Sequence, residues 1–412
     1  VSRLRQIAKA LTVTEEPFTN MNVPRFGTRS RTGVTVNSTR AMQHGAVWAC
    51  VRNRSEDIAK LPMRVVEYQG TSRIRQEAPA WLEKPNSETT PFELIERTVA
   101  SVDIDGNAFW WVGRDRLGRI SEVWILPPQQ TDVFRDPPKR GQTTINPKRY
   151  RYAGTTYEAD EIVHITGFSL AGRLRGLSPI EQHAHSIGLS IAAEEFGASF
   201  FGNGATPSGI VELPAEAGIP DTKVITDMQD GIARDHTGLA NAHRPGVLFG
   251  GAKWVPLTIS NEASQFLESR NYQLRDIARI YRQPPHKIGD LERATFSNIE
   301  HQGIEYVGDG ILPTVTRIEQ AVFAAGLLGP GQHLKFNLAA LLRGDTLARF
   351  QAYALARQWG WLCVDDIREL EDLNPLPDGE GAVYLNPMNM VPASLYASPP
   401  ETAAAITTGA SA

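Results

Sequence analysis

Between Phe266 and Phe323 the chain reads FLESRNYQLRDIARIYRQPPHKIGDLERATFSNIEHQGIEYVGDGILPTVTRIEQAVF, two helical patterns separated by a double proline and a short polar loop. Leu267, Leu274, Ile277, Ala278 and Tyr281 recur at helical spacing and share one face. Pro284 and Pro285 end that helix, because each lacks an amide donor and Pro284 excludes helical geometry from Gln283. The second helix restarts with Ser297 as its expected N-cap and Glu300 three residues on. It carries Ile304, Val307, Ile311, Val315, Ile318 and Val322 as one apolar stripe. A loop held between two long helices is the feature any fold of this chain must place.

A chain of 412 residues exceeds the roughly 250–300 residues at which single cores stop growing, so at least two structural units are expected. Its 42 basic and 46 acidic residues leave a net charge of -4, which argues against a protein that grips nucleic acid through a broad basic surface. Cys50 and Cys363 are too few for a disulfide framework or a four-cysteine zinc site. No run of about 18 apolar residues occurs, and the opening VSRLRQIAKALTV lacks an apolar segment of signal-peptide length. The expectation is a soluble, unexported chain with no membrane partner.

Residues 1–40 mix arginine with Thr, Asn, Gly and Pro, which predicts an extended or mobile arm. A helix follows from Gln43 to Ile58, stopped by Pro62. The strand RVVEY and the turn QGTSR then predict a hairpin. Pro91 suits the first position of another helix. NAFWWVGRDRLGRISEVWILPP reads as two strands joined by a turn at Arg116 to Gly118, and short strands continue through 130–165. One long helix is expected from Ser178 and Pro179 to about Phe201. Its small residues, Gly188, Ser190, Ala192, Ala193, Gly197, Ala198 and Ser199, suit close approach of another helix, within one domain or between subunits. Residues 205–258 form an α/β insert with an acidic helix near Ala215 to Arg234, bounded by the two long helices. Thr346 to Leu373 reads as helix, turn, helix, and the Ala-, Ser-, Thr- and Pro-rich end reads as disordered. The fold class is α+β.

Several patterns that invite a chemical reading fail on spacing. DIDGNAFWWVGR at Asp103 has Ala108 where a calcium loop needs glycine and Arg114 where it needs the bidentate glutamate, so a turn of Asp, Gly and Asn is expected instead. His183 and His185 lie two apart and cannot face one zinc ion from a helix. Gly167, Gly172 and Gly176, and likewise Gly202, Gly204 and Gly209, lack the Gly-Lys-Ser/Thr of a phosphate loop and are read as turns and caps. No nucleophile elbow is present, so no catalytic residue, cofactor or metal is expected and the chain is not read as an enzyme. Arg135, Lys139, Arg140, Lys148, Arg149 and Arg151 form a basic segment suited to a capsid or nucleic-acid contact, or to a solvated hairpin tip. The helix after Gly360 carries Asp365, Asp366, Glu369, Glu371 and Asp372, which would repel DNA phosphates.

Five segments in this order resemble the portal proteins of long-tailed bacteriophages. They are AVWACVRNRSEDIAKLPMRV at 46–65, GNAFWWVGRDRLGRISEVWILPP at 106–128, the stretch from Gly176 to Leu213, the opening helix–loop–helix, and RFQAYALARQWGWLCVDDIRELEDLNPLP at 349–377. The resemblance implies a portal fold: an arm at 1–40, a wing at 41–177, stem helices at 178–204 and 259–283, a clip at 205–258, a tunnel loop with a long wing helix at 284–342, a helical crown at 343–392 and a disordered tail at 393–412. It implies a ring of about a dozen copies at one capsid vertex, in the virion and, during assembly, in the host cytoplasm. Such a ring nucleates the procapsid with the major capsid protein or scaffold, docks terminase, passes double-stranded DNA without sequence specificity in packaging and ejection, and holds head-to-tail connector or adaptor proteins. The tunnel loop would comprise Asp290, Leu291, Glu292, Arg293, Ala294, Thr295, Phe296 and Ser297. Clip acids Glu212, Glu216, Asp221, Asp227, Asp230 and Asp235 would face partners. A portal-like protein of a prophage or gene-transfer particle fits the same residues, and a monomeric nucleic-acid-binding module is the alternative from another class.

Overall fold

The computed structural model describes residues 27–70, 72–136, 145–202, 209–212, 221–236, 253–256, 262–291, 296–341, 346–371 and 373–385. The chain divides into two compact units, Val1–Leu342 and Arg343–Ala412. The first opens with an antiparallel ribbon, β1 (Thr28–Arg29) and β2 (Thr35–Val36), then helices α1 (Ser38–Gln43) and α2 (Gly45–Ala59). Asn37 caps α1 by accepting from the Arg40 amide at 2.8 Å. That cap makes a separate short helix ahead of the one expected from Gln43. Within residues 27–40, expected to belong to an extended or mobile arm, the ribbon is extended and Ser30 and Val36 are buried.

Strands β3 (Met63–Gln69) and β4 (Ser72–Gln76) form the hairpin expected at RVVEY. After α3 (Ala80–Glu83), α4 (Pro91–Asp105) begins with Pro91 in its first turn and a capping box in which the Thr90 side chain accepts from the Glu93 amide and Glu93 reaches back to Thr90. Gly106 closes this helix at φ 78°. The DIDGN stretch is therefore a helix end and its cap rather than the expected turn, and Asp103 lies inside the helix, buried. Strands β5 (Asn107–Arg114), β6 (Ile120–Leu126), β7 (Asp132–Phe134), β8 (Arg149–Tyr152), β9 (Thr155–Tyr157) and β10 (Ile162–Thr166) make two antiparallel sheets, ordered β10-β5-β6 and β7-β8-β9.

The long helix expected from Ser178 is broken at His183 into α5 (Pro179–Gln182) and α6 (Ala184–Gly202). Ser178 does cap it, accepting from the Glu181 amide at 3.2 Å. In the insert, β11 (Gly209–Glu212) pairs with β12 (Lys253–Pro256) around α7 (Thr222–His236). Helix α8 (Glu262–Ile280) returns beside α6 and leads to the loop. Beyond the loop, α9 (Phe296–Glu305) passes through a π-helical turn at Tyr306–Ile311 into α10 (Leu312–Ala324). Strand β13 (Gln332–Phe336) then completes the sheet β13-β3-β4. The second unit holds α11 (Thr346–Gln358) and α12 (Val364–Leu370).

Strand β5 is buried on both faces because it divides two cores. Ala108, Trp110 and Val112 join Leu94, Ile95 and Val99 of α4 and Val315, Ile318 and Val322 of α10. Phe109 and Trp111 point the other way, toward Tyr150, Tyr152 and Tyr157. Each such large apolar side chain contributes about 1.5–3 kcal/mol by leaving water. A third core gathers Val47, Cys50 and Val51 of α2, Ile187 and Ile191 of α6, and Ile277 and Tyr281 at the end of α8. Small residues of α6 serve the chain's own packing here. A Cβ on Gly188 would lie 2.5 Å from Ser30 Cβ, and Ser190 Oγ is hydrogen-bonded to His44 Nε2 at 2.7 Å.

Candidate functional site

The loop that follows α8 is built on a rigid elbow. Ile277, Ala278 and Tyr281 anchor the last turn of α8 in the core, as their spacing predicts, while Leu274 is half-buried and the side chain of Leu267 lies outside the described residues. Arg282 then turns the backbone at φ 53°, a left-handed geometry uncommon for a side-chain-bearing residue. Gln283 is buried and donates to Cys50 O at 2.6 Å. Pro285–Ile288 form a single 3-10 turn capped by Gly289 at φ 92°. Asn53 of α2 donates to Lys287 O at 2.9 Å. Proline ends the helix, and hydrogen bonds to α2 fix where the chain goes next.

Two buried charges on α2 hold this elbow. Arg54 donates to Asp103 Oδ2 at 2.8 Å and to Tyr281 O at 3.2 Å. It also donates to Gly310 O at 2.6 Å and to Thr314 Oγ1 at 2.9 Å. One guanidinium therefore joins α2, α4, the end of α8, the π-helical turn and α10. Burial works to lower the Arg54 pKa, but Asp103 with its hydrogen bonds outweighs it and the pKa lies above the ordinary value; for Asp103 burial outweighs the opposing pull of Arg54 and holds the carboxyl above its ordinary value. With both Asp103 oxygens within reach of the guanidinium, the pair stands ionised. One turn on, Asp57 accepts from Lys60 at 2.6 Å, Lys287 at 2.5 Å and Tyr306 Oη at 3.0 Å. Burial works to raise the Asp57 carboxyl, but the two lysines outweigh it and hold the pKa below the ordinary value. Neither Arg54 nor Asp57 was singled out by sequence reasoning; the one available signal was two charges four residues or fewer from the buried positions of an amphipathic helix.

The expected tunnel-loop residues divide at once. Asp290 is paired with Arg275 of α8 at 2.5 Å, with its side chain only 9% exposed, so it belongs to the elbow. Leu291 is 64% exposed. Glu292, Arg293, Ala294 and Thr295 lie outside the described residues. Phe296 and Ser297 are in α9, so Ser297 is a helical residue and not the expected N-cap. The apolar stripe beyond it holds from Val307 to Val322, but Ile304 is 54% exposed. The π-helical turn between them adds a residue to the i to i+4 ladder and resets its phase.

Among the clip acids, Glu212 ends β11 and Asp221, Asp227 and Asp230 are exposed around α7, while Asp235 lies in α7 and Glu216 is outside the described residues. In the basic segment, Arg149 pairs with Asp136 at 2.9 Å and Glu158 at 2.7 Å. Lys148 donates to Leu174 O at 3.0 Å, Arg135 donates to Asn146 O at 3.2 Å, and Arg151 lies over the Phe134 ring. Lys139 and Arg140 lie outside the described residues. Of the glycines read as turns, Gly167 and Gly176 do something more demanding: a Cβ on either would strike Gly106 O, at 2.9 and 2.2 Å. Beside this stack Asn107 accepts from the Gly176 amide and from His164. Burial, with Lys148 and Arg175 nearby, pushes His164 down to about 3. Among the described residues no helix is long and apolar enough to cross a membrane, and no group of three or more His, Cys, Asp or Glu is placed to hold a metal ion.

The fold is thus mixed α+β, with a small α/β insert between α6 and α8 and a pinned elbow between α8 and α9. The family model described as phage portal protein matches residues 45–372. A probable portal protein of Streptomyces phage phiC31 is 32% identical over 91% of this chain and 84% of its own length. The portal protein of Enterobacteria phage HK97 is 28% identical over 85% of this chain and 83% of its own. Among solved structures, a chain from the neck of an empty gene transfer agent particle is similar at TM-score 0.56 and 24% identity, covering 82% of this chain and 94% of that one. An HK97-family phage portal protein from Corynebacterium diphtheriae is similar at TM-score 0.54 and 18% identity, covering 78% of this chain and 99% of that one. The chain belongs to the phage portal protein family. It is thus a structural component of a phage-type particle, a subunit of a homo-oligomeric ring, and not an enzyme.

Proposed function

We propose that this chain forms a ring of twelve copies at one capsid vertex, through which double-stranded DNA enters during packaging and leaves on ejection. A related neck was computed with twelvefold symmetry and another with sixfold symmetry, both compatible with twelve. The proposed parts are an arm at 1–40, a wing at 41–177, stem helices at 178–204 and 259–283, a clip at 205–258, the loop with the long wing helix at 284–342, a crown at 343–392 and a tail at 393–412. The elbow supports this reading most: Arg54 and Asp57 fix both its ends, so the proposed loop starts from a rigid mount. A conduit gains from weak contact, because each phosphate neutralised adds affinity through released counterions. Asp290, taken up by Arg275, adds no free charge to that surface.

The exposed clip acids Asp221, Asp227 and Asp230 are proposed to meet terminase before filling and connector or adaptor proteins afterwards. The basic face at Arg135 to Arg151 is proposed to meet the major capsid protein or scaffold, with assembly in the host cytoplasm. Negative-stain microscopy with native mass of the purified chain tests the ring. Twelvefold rings with a central opening are expected, and a monomer at all salt concentrations would favour a nucleic-acid-binding module instead. Deleting 291–296 should impair packaging or genome retention while rings still form; unchanged packaging would remove the loop from the mechanism. Asp227→Lys with Asp230→Lys should weaken terminase stimulation without changing the melting temperature. A second reading, the portal of a gene-transfer particle, rests on the similarity to gene transfer agent structures. Sequencing the nuclease-protected DNA separates them: random host fragments indicate the transfer particle, a single phage genome the virus.

A further inference from the structure

Arg317, in the second turn of α10, is half-buried among other cations. It lies three residues after Thr314, on the side of the helix where Thr314 Oγ1 accepts from Arg54 at 2.9 Å. Arg282, the left-handed residue of the elbow, reaches the same place from the end of α8. Its guanidinium donates to Asp309 O at 3.2 Å, and a Cβ on Gly310 would meet its carbonyl oxygen at 2.9 Å. Arg54 is matched there by Asp103. Among the described residues neither Arg282 nor Arg317 is paired with a carboxylate. Burial lowers the Arg317 pKa, and the charges of Arg282 and Arg54 lower it further.

The chain treats its other sheltered arginines differently. Arg54, Arg175, Arg275 and Arg349 are also buried or half-buried, and each meets a carboxylate at 2.5–2.9 Å. A cation withdrawn from water without an opposite charge destabilises the fold, and neighbouring cations add to that cost. Methionine at position 317 would fill the same space without it. The arrangement is a pair of donors for an oxyanion, set where the elbow meets the π-helical turn and α10.

Two guanidinium groups fix the class of anion. Each presents a planar fork of N–H donors that fits two oxygens of one group. A carboxylate has two oxygens and one charge, enough for one fork, so the second arginine would stay unmatched. A phosphate group carries about -1.5 to -2 at neutral pH with three acceptor oxygens or more, and so serves both forks and both charges. Arg282 belongs to the elbow and Arg317 to α10. One phosphate between them ties together the elements on either side of the loop, beside the tie that Arg54 makes.

We propose that Arg282 and Arg317 form a binding site for a phosphate-class oxyanion, supplied either as free phosphate or by the backbone of double-stranded DNA. The site is built from one chain and does not depend on the ring reading. Its test is scanning fluorimetry of the full chain in inorganic phosphate, in acetate and in chloride at matched ionic strength, with a short DNA duplex as a further arm. For a dissociation constant of about 1 mM, about 10 mM phosphate should shift the folding equilibrium about elevenfold, read as a rise of about 2–4 °C in melting temperature, with acetate no better than chloride. Arg317→Met should melt higher than the unaltered chain in chloride, because an unmatched cation leaves the interior, and should lose the response to phosphate. Arg317→Lys keeps the charge without the fork and should respond several-fold more weakly. A duplex effect that Arg317→Met abolishes assigns the phosphate to DNA, and a phosphate effect without a duplex effect assigns it to the free ion. An equal phosphate response in Arg317→Met would overturn the proposal. Acetate acting as well as phosphate would overturn it in favour of a protein carboxylate. An Arg317→Met chain that melts lower by the same margin in chloride and in phosphate would also overturn it, by making the arginine a packing residue.

Discussion

Replacing Arg54 by methionine asks how much the buried guanidinium holds together. The side chains of Arg54 and Asp103 are each only 7% exposed, so Asp103 would be left as a charge without water or a partner. Breaking a buried pair from one side costs about 3–5 kcal/mol. Tyr281 O and Gly310 O also lose the donor that ties the elbow to the π-helical turn. At about 2–4 °C per kcal/mol for domains of 150–250 residues, and less for a larger unit, the melting temperature should fall by about 5–15 °C. The loss should depend on pH. Burial raises the Asp103 carboxyl and Arg54 lowers it, so the variant keeps the raising influence alone. Its unfolded chain releases the proton from about pH 3.9 upward while the folded variant retains it, so stability falls as pH rises. The deficit against the unaltered chain is therefore smallest near pH 4 and grows toward pH 8. Scanning fluorimetry at pH 5, 6.5 and 8 reads this, with Arg54→Met/Asp103→Leu as the control that removes both charges and should recover at least half of the deficit. A deficit that is small and independent of pH, or a double variant no better than the single, would refute the reasoning.

Gly176→Ala should cost about 3 kcal/mol or more, in line with overpacking against backbone, since its Cβ would sit 2.2 Å from Gly106 O. Gly118→Ala, which meets open space at φ 78°, should cost about 1 kcal/mol; equal effects in urea titrations would mean that the backbone contact yields easily. His164 should weaken the fold in acid. Its folded pKa of about 3 lies below the unfolded value of about 6.5, so stability is full above that value and declines at about 1.4 kcal/mol per pH unit as pH falls toward the folded one. His164→Gln should flatten this limb between pH 7 and pH 5, and identical slopes in the two proteins would assign the acid sensitivity elsewhere.

Local signals in the sequence located most elements because they act within a few residues. Pro91 after Thr90 and before Glu93 is enough to start a helix, and Gly118 is enough to turn between two aromatic-rich strands. The loop between the long helices was legible for the same reason, through Pro284 and Pro285. What the sequence did not reveal depends on distant partners. His183 interrupts a pattern that reads as one helix, and no residue near it announces the break. Ser297 has the chemistry of a cap, yet the helix already includes Phe296. Asp290 was read only as part of the loop, and its partner, Arg275, lies on the preceding helix fifteen residues earlier.

The π-helical turn shows why these omissions belong together. Ile304 and Ile311 are seven residues apart, two turns of an ordinary helix, and should share a face; one is 54% exposed and the other fully buried. The turn between them presents Gly310 O to Arg54 and Tyr306 Oη to Asp57. A Cβ on Gly310 would come within 2.9 Å of Arg282 O, the left-handed residue of the elbow. Arg54 of α2 therefore donates to backbone carbonyls on both sides of the loop, at Tyr281 and Gly310, while Asp57 holds the side chains of Lys287 and Tyr306. Each irregularity alone leaves carbonyl groups without helical partners, a cost that buried structure tolerates only when donors are supplied. Arg54 supplies them to both at once, which makes the elbow and the π-helical turn one structural unit and fixes the two ends of the loop relative to each other.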